Sequence, residues 1–203
     1  MRVTDGDIDI WAHYAAGFVA CVPTNGIVAN GRLVMGAGLA LQAKKRFPGI
    51  DLTLGKLVSE KGNHCHPIFG ADGSFLRLVS FPTKNHWRNQ PDPALIVRSA
   101  RELAGLADAN NWSRVVLPAV GCGLGGLSWE SLYRLLADML DDRFTVTLWR
   151  QSASVPATPR AVRYSNPEGS RPVRQNYPDR WLSQGHGTFK QGSSSVQNRP
   201  SLR

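Results

Sequence analysis

One reactive amine and two glycine-rich segments are the residues of this chain best suited to chemistry. The amine is Lys84, which ends Phe81-Pro82-Thr83-Lys84 at the mouth of an apolar strand pattern. The first glycine segment, Val34-Met35-Gly36-Ala37-Gly38-Leu39-Ala40, runs straight into a helical pattern. The second, Val120-Gly121-Cys122-Gly123-Leu124-Gly125-Gly126-Leu127, joins a strand pattern to a helical one. Gly36 and Gly38 let backbone N–H groups approach an anion without a β-carbon in the way. The helix starting near Gly38 points its positive end at the same place. Gly121 to Gly126 can present a similar nest of donors. Neither loop has the Lys-Ser/Thr ending of a triphosphate loop. Neither has the spacing or the following acid of a dinucleotide fingerprint. Two anion loops without a triphosphate lysine suit a pyrophosphate bridge. The plainer alternative for Gly36-Ala37-Gly38 is a turn that packs a helix on a strand; for Lys84 it is a surface lysine that only steers an anion.

The elements that must position these residues alternate. Gly17–Val22 reads as a buried strand, a short apolar run between turn signals. Gly38 to Phe47 is a helix with Leu39, Ala43 and Phe47 on one face, and Lys44, Lys45 and Arg46 near its C-terminal end suit the dipole. Pro48-Gly49 stops it. Residues 67–69 and 75–81 flank Ala71-Asp72-Gly73, a hairpin signal. Asp92-Pro93 opens a helix as N-cap and first helical residue, with Ile96, Ala100, Leu103 and Ala107 on one face and an end at Asn110-Asn111. Residues 114–119 form a buried strand that feeds the second glycine loop. Ser128 caps the next helix, with Glu130 in its first turn and Trp129, Leu132, Leu136 and Met139 facing inward. Residues 144–149 form the last strand. This order predicts an α/β domain with helices on both faces of the sheet.

Composition narrows the class. A chain of 203 residues with 42% hydrophobic content can bury a core, and no apolar run approaches the ~20 residues of a membrane span. The first seven residues carry no signal-peptide apolar stretch, so the expected compartment is the cytoplasm and no membrane is expected. Three cysteines, Cys21, Cys65 and Cys122, do not make a disulfide framework. Nothing near Cys122 in sequence supplies a base or cation to make it nucleophilic. His64-Cys65-His66 cannot all reach one tetrahedral ion, so no metal is expected. His13, beside Trp11 and Tyr14, is read as a packing residue. Of the net charge of +9, most lies beyond residue 150: residues 151–203 hold eight of the 24 Lys+Arg and only Glu168 and Asp179 as acids. With six prolines and no periodicity, that stretch is expected to be a disordered basic tail, serving either solubility or contact with nucleic acid.

In residues 2–150 the chain resembles a macrodomain, the fold that binds ADP-ribose. Gly6-Asp7-Ile8 is similar to the family's opening Gly-Asp-Ile. The resemblance implies that Asp7 accepts a hydrogen bond from the adenine amino group and Ile8 lines the adenine pocket. Val22-Pro23-Thr24-Asn25 is similar to the strand end that delivers an asparagine, here Asn25, to the distal ribose. Met35, Gly36, Ala37 and Gly38 would hold the diphosphate, with Gly121, Cys122, Gly123, Leu124 and Gly125 wrapping it and the distal ribose from the other side. The three-layer α/β/α macrodomain with a central mixed sheet is the implied fold, and no cofactor is implied.

Phe81-Pro82-Thr83-Lys84-Asn85-His86-Trp87-Arg88 together with Gly121–Trp129 resembles one branch, the terminal ADP-ribose glycohydrolases and the antitoxins that remove ADP-ribose from DNA. By that resemblance Lys84 is catalytic. Opening the distal ribose exposes an aldehyde with which an amine forms a Schiff base. His86 and Arg88 are the nearby cations that would favour the neutral amine. One departure is plain: the glycohydrolase relatives place an acid in the second loop where this chain has Gly125-Gly126, a double glycine that the antitoxin type shares, so activity remains compatible with it. Glu130 is the nearest carboxylate in sequence. The resemblance leaves three functions: an ADP-ribosyl hydrolase acting on DNA or a protein ester, a non-catalytic ADP-ribose reader, and an ADP-ribose 1″-phosphate phosphatase. A monomer is expected.

Overall fold

The computed structural model describes residues 1–4 and 9–148. In chain order the elements are β1 (Arg2–Thr4), α1 (Ile10–Ala15), β2 (Val19–Thr24), β3 (Val28–Ala29), β4 (Arg32–Leu33), α2 (Gly38–Arg46), α3 (Ile50–Lys61), β5 (Pro67–Phe69), β6 (Phe75–Pro82), α4 (Pro93–Ala109), β7 (Val115–Pro118), α5 (Trp129–Leu136) and β8 (Phe144–Thr147). The central sheet runs β1-β8-β7-β2-β6-β5, and β3-β4 form a separate ribbon. The pairs from β1 through β6 are parallel; only β5 runs antiparallel, against β6.

Parallel strands are buried on both faces, and the alternation shows it. Val19, Cys21, Val79, Phe81, Val115, Leu117, Phe144 and Val146 enter one core, shared with α4 and α5. Ala20, Val22, Leu78 and Val116 enter the other, shared with α1, α2 and α3. The expected three layers are therefore present. On α4, Ile96, Ala100, Leu103 and Ala107 are each fully buried, and burying Ile96 or Leu103 contributes about 1.5–3 kcal/mol. Asp92 caps α4, accepting from Ala94 N at 2.9 Å and Leu95 N at 3.3 Å, with Pro93 behind it. Ser128 caps α5, accepting from Ser131 N at 3.2 Å.

Some boundaries differ from expectation. Pro48-Gly49 ends α2 but does not end helical structure: Gly49, with φ 93°, is the N-cap of α3. Met139 lies past the end of α5, where the chain turns at Ala137, though its side chain still packs on the same core. The last strand stops at Thr147. The ribbon β3-β4 turns on Asn30-Gly31, with φ of 51° and 73°, the all-positive geometry of a tight hairpin.

An ion cluster ties this half together. Asp51, 1% exposed on α3, meets Arg32 of β4 at 3.0 Å and Lys44 of α2 at 2.9 Å. Burial alone would raise the Asp51 carboxyl's pKa; the hydrogen bonds from Lys44 and Arg32 outweigh that and hold it below the usual carboxylate value. The expected tail, residues 151–203, lies outside the described residues. Among the described residues no helix is long and apolar enough to cross a membrane.

Candidate functional site

Ligands of open parallel sheets lie beyond the C-terminal ends of the strands, where connections diverge to either side. Here β2 sits between β7 and β6. The chain leaves β2 for β6 on one side, while β7 lies on the other. The Lys84 segment rises from β6 and the second glycine segment from β7; the Gly36 segment follows β4 and is tied to the end of β2 through Asn25.

The Gly36 loop is fastened over the end of β2. Asn25 Nδ2 donates to the Val34 carbonyl at 2.8 Å, and Asn25 Oδ1 accepts from Ile27 N at 2.9 Å. Asn25 therefore bolts the β2 end to the root of the loop, and one of its two amide hydrogens is already engaged. Met35 is 3% exposed and packs in the core with Val22, so only its backbone faces the loop. Gly36, Ala37 and Gly38 are exposed. Ala37, the N-cap of α2, makes no side-chain cap bond, which suits the first N–H groups of α2 to an anion. No atom lies within 4 Å of where a β-carbon on Gly36 or Gly38 would stand.

The Lys84 loop is strapped to its surroundings. Thr83 N and Oγ1 both donate to the Thr24 carbonyl, at 3.0 and 3.3 Å. Gly26 N donates to the Asn85 carbonyl at 3.1 Å, and Asp92 N to the Thr83 carbonyl at 2.8 Å, closing the loop at its base. Asn63 Nδ2 donates to the Lys84 carbonyl at 3.2 Å and to Asn85 Oδ1 at 3.1 Å. Arg98 holds the Asn63 carbonyl in turn, and Asn63 Oδ1 is buried without a partner. Lys84 Nζ donates to the Asn89 carbonyl at 2.7 Å. His86 and Arg88 meet each other and Trp87: Arg88 N donates to His86 Nδ1 at 3.1 Å, and the Arg88 guanidinium lies 4.6 Å from the Trp87 ring centre.

The second glycine loop packs on the Lys84 loop through Pro91, which touches both Gly121 and Gly125. Gly123, Leu124 and Gly126 are exposed, and nothing lies within 4 Å of the β-carbon positions of Gly123 and Gly126. Cys122 is half-buried, and burial pushes its thiol up to about 11. Glu130 is ion-paired with Arg134 on the outside of α5. Pro91 and Asn63 were not read from sequence. Asp92-Pro93 drew the attention at that point, and no local pattern distinguishes Asn63 from any loop asparagine.

Other sequence candidates separate. Asp7 and Ile8 lie outside the described residues. His64 Nδ1 lies 2.6 Å from Glu102 Oε1, the Cys65 thiol donates to the Ser99 carbonyl, and His66 Nε2 lies 2.9 Å from the Gly62 carbonyl. The His13 ring packs at a tilt against Phe18, 4.9 Å between centroids, and burial lowers its pKa. A cleft of about 270 Å³ opens at the opposite edge of the sheet, among Arg2, Phe18, Ser113, Arg114, Asp142, Arg143 and Thr145. It holds none of the residues expected to bind or act on a ligand. Arg143 there is already tied to Asp141 and Asp108 at 2.7 and 2.8 Å, so the strand-end loops remain the better site.

Known proteins bear on this edge. The DNA ADP-ribosyl glycohydrolase of Mycobacterium tuberculosis (strain ATCC 25618 / H37Rv) is 33% identical over 107 residues, 51% of this chain and 30% of that protein. The ADP-ribose glycohydrolase OARD1 of Bos taurus is 26% identical over 115 residues, 55% of this chain and 72% of that protein. The chain spans about a third of the length of the curated DNA ADP-ribosyl glycohydrolases it matches. Among solved structures, the macrodomain of Mycobacterium tuberculosis DarG superposes with TM-score 0.58 at 27% identity, covering 72% of this chain and 97% of that one. The macrodomain of Thermus aquaticus DarG, at 24% identity and TM-score 0.56, covers 73% and 96% and shares the fold. The family model for the Macro domain matches residues 28–136, over half of the chain and all three strand-end segments, and the chain belongs to that family.

Proposed function

We propose that this macrodomain binds ADP-ribose at the C-terminal edge of its sheet and releases it by hydrolysis from a modified macromolecule, with Lys84 as the catalytic amine. One arrangement carries this reading. The loop that bears Lys84 is clamped between the end of β2, through Asn85 and Gly26, and the second glycine loop, through Pro91. A diphosphate held by the Gly36 and Gly123 backbones would set its terminal ribose near that amine. Asp7 and Ile8 would take the adenine end. The relatives named as ADP-ribosyl glycohydrolases support the reaction class.

In this reading the unprotonated Nζ of Lys84 leaves the Asn89 carbonyl and adds to C1″ of the distal ribose. The bond to the base or carboxylate breaks, its electron pair leaving with that group, which takes up a proton. The ring oxygen then departs, giving a protonated Schiff base. Water adds to C1″ and expels the amine, so one water is consumed and free ADP-ribose is formed. DNA is the substrate class favoured by the higher identity to relatives named as DNA ADP-ribosyl glycohydrolases; a protein ester and ADP-ribose 1″-phosphate are the alternatives to be compared. A reader that binds without turnover is the second reading, favoured by the lack of an acid at Gly125-Gly126; at Gly125 the packing leaves no room for any side chain.

The test is a calorimetric titration with ADP-ribose, followed by product release from ADP-ribosylated DNA, ADP-ribosylated protein and ADP-ribose 1″-phosphate. Release by the wild type, lost in Lys84→Ala with ADP-ribose affinity retained, supports the lysine mechanism. Binding without release from any substrate establishes the reader, and absence of binding overturns both.

A further inference from the structure

Among the described residues the exposed large hydrophobics are Leu52, Phe69, Trp87 and Leu124. Two of these four, Trp87 and Leu124, lie on the loops that border the candidate site. Trp87 is 48% exposed, although burying a tryptophan removes a large apolar surface from water. It belongs to neither core. Its indole instead lies beside an imidazole and a guanidinium. The His86 ring stacks on it at 5.5 Å and 22°, and the Arg88 guanidinium lies 4.6 Å from the ring centre. From Lys84 to Gln90 the loop contains Lys84, His86 and Arg88 and no acid.

The loop is also fixed in place. Asp92 N to the Thr83 carbonyl at 2.8 Å closes it, Asn89 N to the His86 carbonyl at 3.0 Å turns its tip, and Asn63 straps its side. The indole is thus displayed by ordered backbone, so little entropy remains to be lost when something stacks on it. A half-exposed indole beside a guanidinium, in a loop without acids, suits a partner that is both flat and anionic. Single-stranded nucleic acid has that chemistry: every base offers a π-face, and every linkage a phosphate. A protein partner would call for a contiguous apolar patch, whereas Trp87 stands among charged and polar neighbours.

We propose that Trp87 is a stacking platform for a nucleobase next to the one carrying ADP-ribose, with Arg88 facing the adjoining phosphate. The inference rests on the reading that the Lys84 loop borders the ADP-ribose site, and it assigns the residues that grip the polymer. Trp87 fixes where the strand lies, and so which base reaches Lys84; it takes no part in bond breaking.

The experiment uses the full chain as wild type, Trp87→Ala and Trp87→Phe. Each is given a short single-stranded oligonucleotide with ADP-ribose on a central base, and an ADP-ribosylated mononucleoside that lacks flanking bases. Trp87→Ala is expected to raise KM for the oligonucleotide roughly 5- to 100-fold, the range of one lost base–aromatic stack. Its kcat and its kcat/KM on the mononucleoside stay unchanged, and Trp87→Phe recovers most of the loss. An equal loss on both substrates, or no loss on the oligonucleotide, overturns the proposal. So does a loss confined to an ADP-ribosylated peptide, which would mark a protein-facing surface. Anisotropy of a labelled, unmodified oligonucleotide separates this from the catalytic reading. Weaker binding by Trp87→Ala supports the platform even where the wild type releases no ADP-ribose, and equal binding overturns it.

Discussion

Gly125 packs so closely on Pro91 that a β-carbon built on the glycine would lie 2.5 Å from the proline Cγ, and equally 2.5 Å from the Gly121 carbonyl oxygen. Backbone cannot give way as a flexible side chain can. No side chain fits at this position unless the loop moves. Gly125→Asp, which adds a carboxylate to the loop, is expected to push the second loop off the Lys84 loop. Thermal unfolding should show a lower Tm for Gly125→Asp and Gly125→Ala alike, with release falling in both. A Gly125→Asp protein of unchanged Tm would show that the loop can re-form around a side chain.

Gly36 and Gly123 make the opposite case. Neither has a positive φ, and no atom of the described chain lies within 4 Å of a β-carbon at either position. Gly36→Ala and Gly123→Ala should therefore fold with little change in Tm. If their N–H groups hold the diphosphate, each methyl holds the ligand off the backbone. Losing charged hydrogen bonds of this kind weakens binding roughly 10- to 100-fold. Calorimetry with ADP-ribose reads the loss directly; unchanged affinity in both variants would remove the loops from the site.

What the sequence made legible follows from how local each signal is. Asp92-Pro93 is a cap that needs only its own neighbours, and α4 follows as expected. The strand behind the second glycine loop is a continuous apolar run and the strand behind Lys84 is one arm of the expected hairpin, and both lie in the sheet. Helix α3 was missed although Ile50, Leu54, Leu57 and Val58 carry helical spacing, because Pro48-Gly49 was read as an end and Gly49 also starts a helix. The Asn30-Gly31 hairpin signal was present and overlooked. The bracing around Lys84 was not legible at all: Asn63 and Pro91 reach the site through pairings that the sequence does not display.

Asp51 links the Gly36 loop's helix to the rest of its layer, through Lys44 on α2 and Arg32 on β4. Its folded pKa is depressed. The stabilisation is therefore fully present above the unfolded carboxylate value, near pH 4, and is lost as pH falls through the folded value. Asp51→Asn should cost roughly 1–3 kcal/mol at pH 7. Melting curves from pH 7 to pH 3 should show the gap between wild type and variant closing only below about pH 4. A gap that is constant down to pH 3 would mean that the charge is irrelevant to the brace.

Cys122 sits inside the second glycine loop but is a poor nucleophile. With its pKa pushed up to about 11 by burial, roughly three thiols in ten thousand are ionised at pH 7.5. Cys122→Ser is expected to keep both ADP-ribose affinity and release, and iodoacetamide at pH 7.5 should label the site slowly. Loss of release in the serine variant, with affinity retained, would give the thiol a chemical part.

The basic stretch beyond Arg150 yields a prediction in salt rather than in structure. It holds eight Lys+Arg against two acids. Each phosphate neutralised on duplex DNA contributes about −0.9 to the slope of log affinity against log salt. If three or more of those cations touch phosphate, truncation after Arg150 should flatten the slope by roughly three units. ADP-ribose affinity should not change, because the strand-end loops all lie before that point. Fluorescence anisotropy with labelled DNA at several salt concentrations measures the slope, and calorimetry the small ligand. An unchanged slope would reduce the stretch to a solubility device. A flattened slope together with lost ADP-ribose affinity would mean that the tail also completes the pocket. Trp87→Ala provides the complementary control, since a lost stack lowers affinity at every salt concentration and leaves the slope where it was.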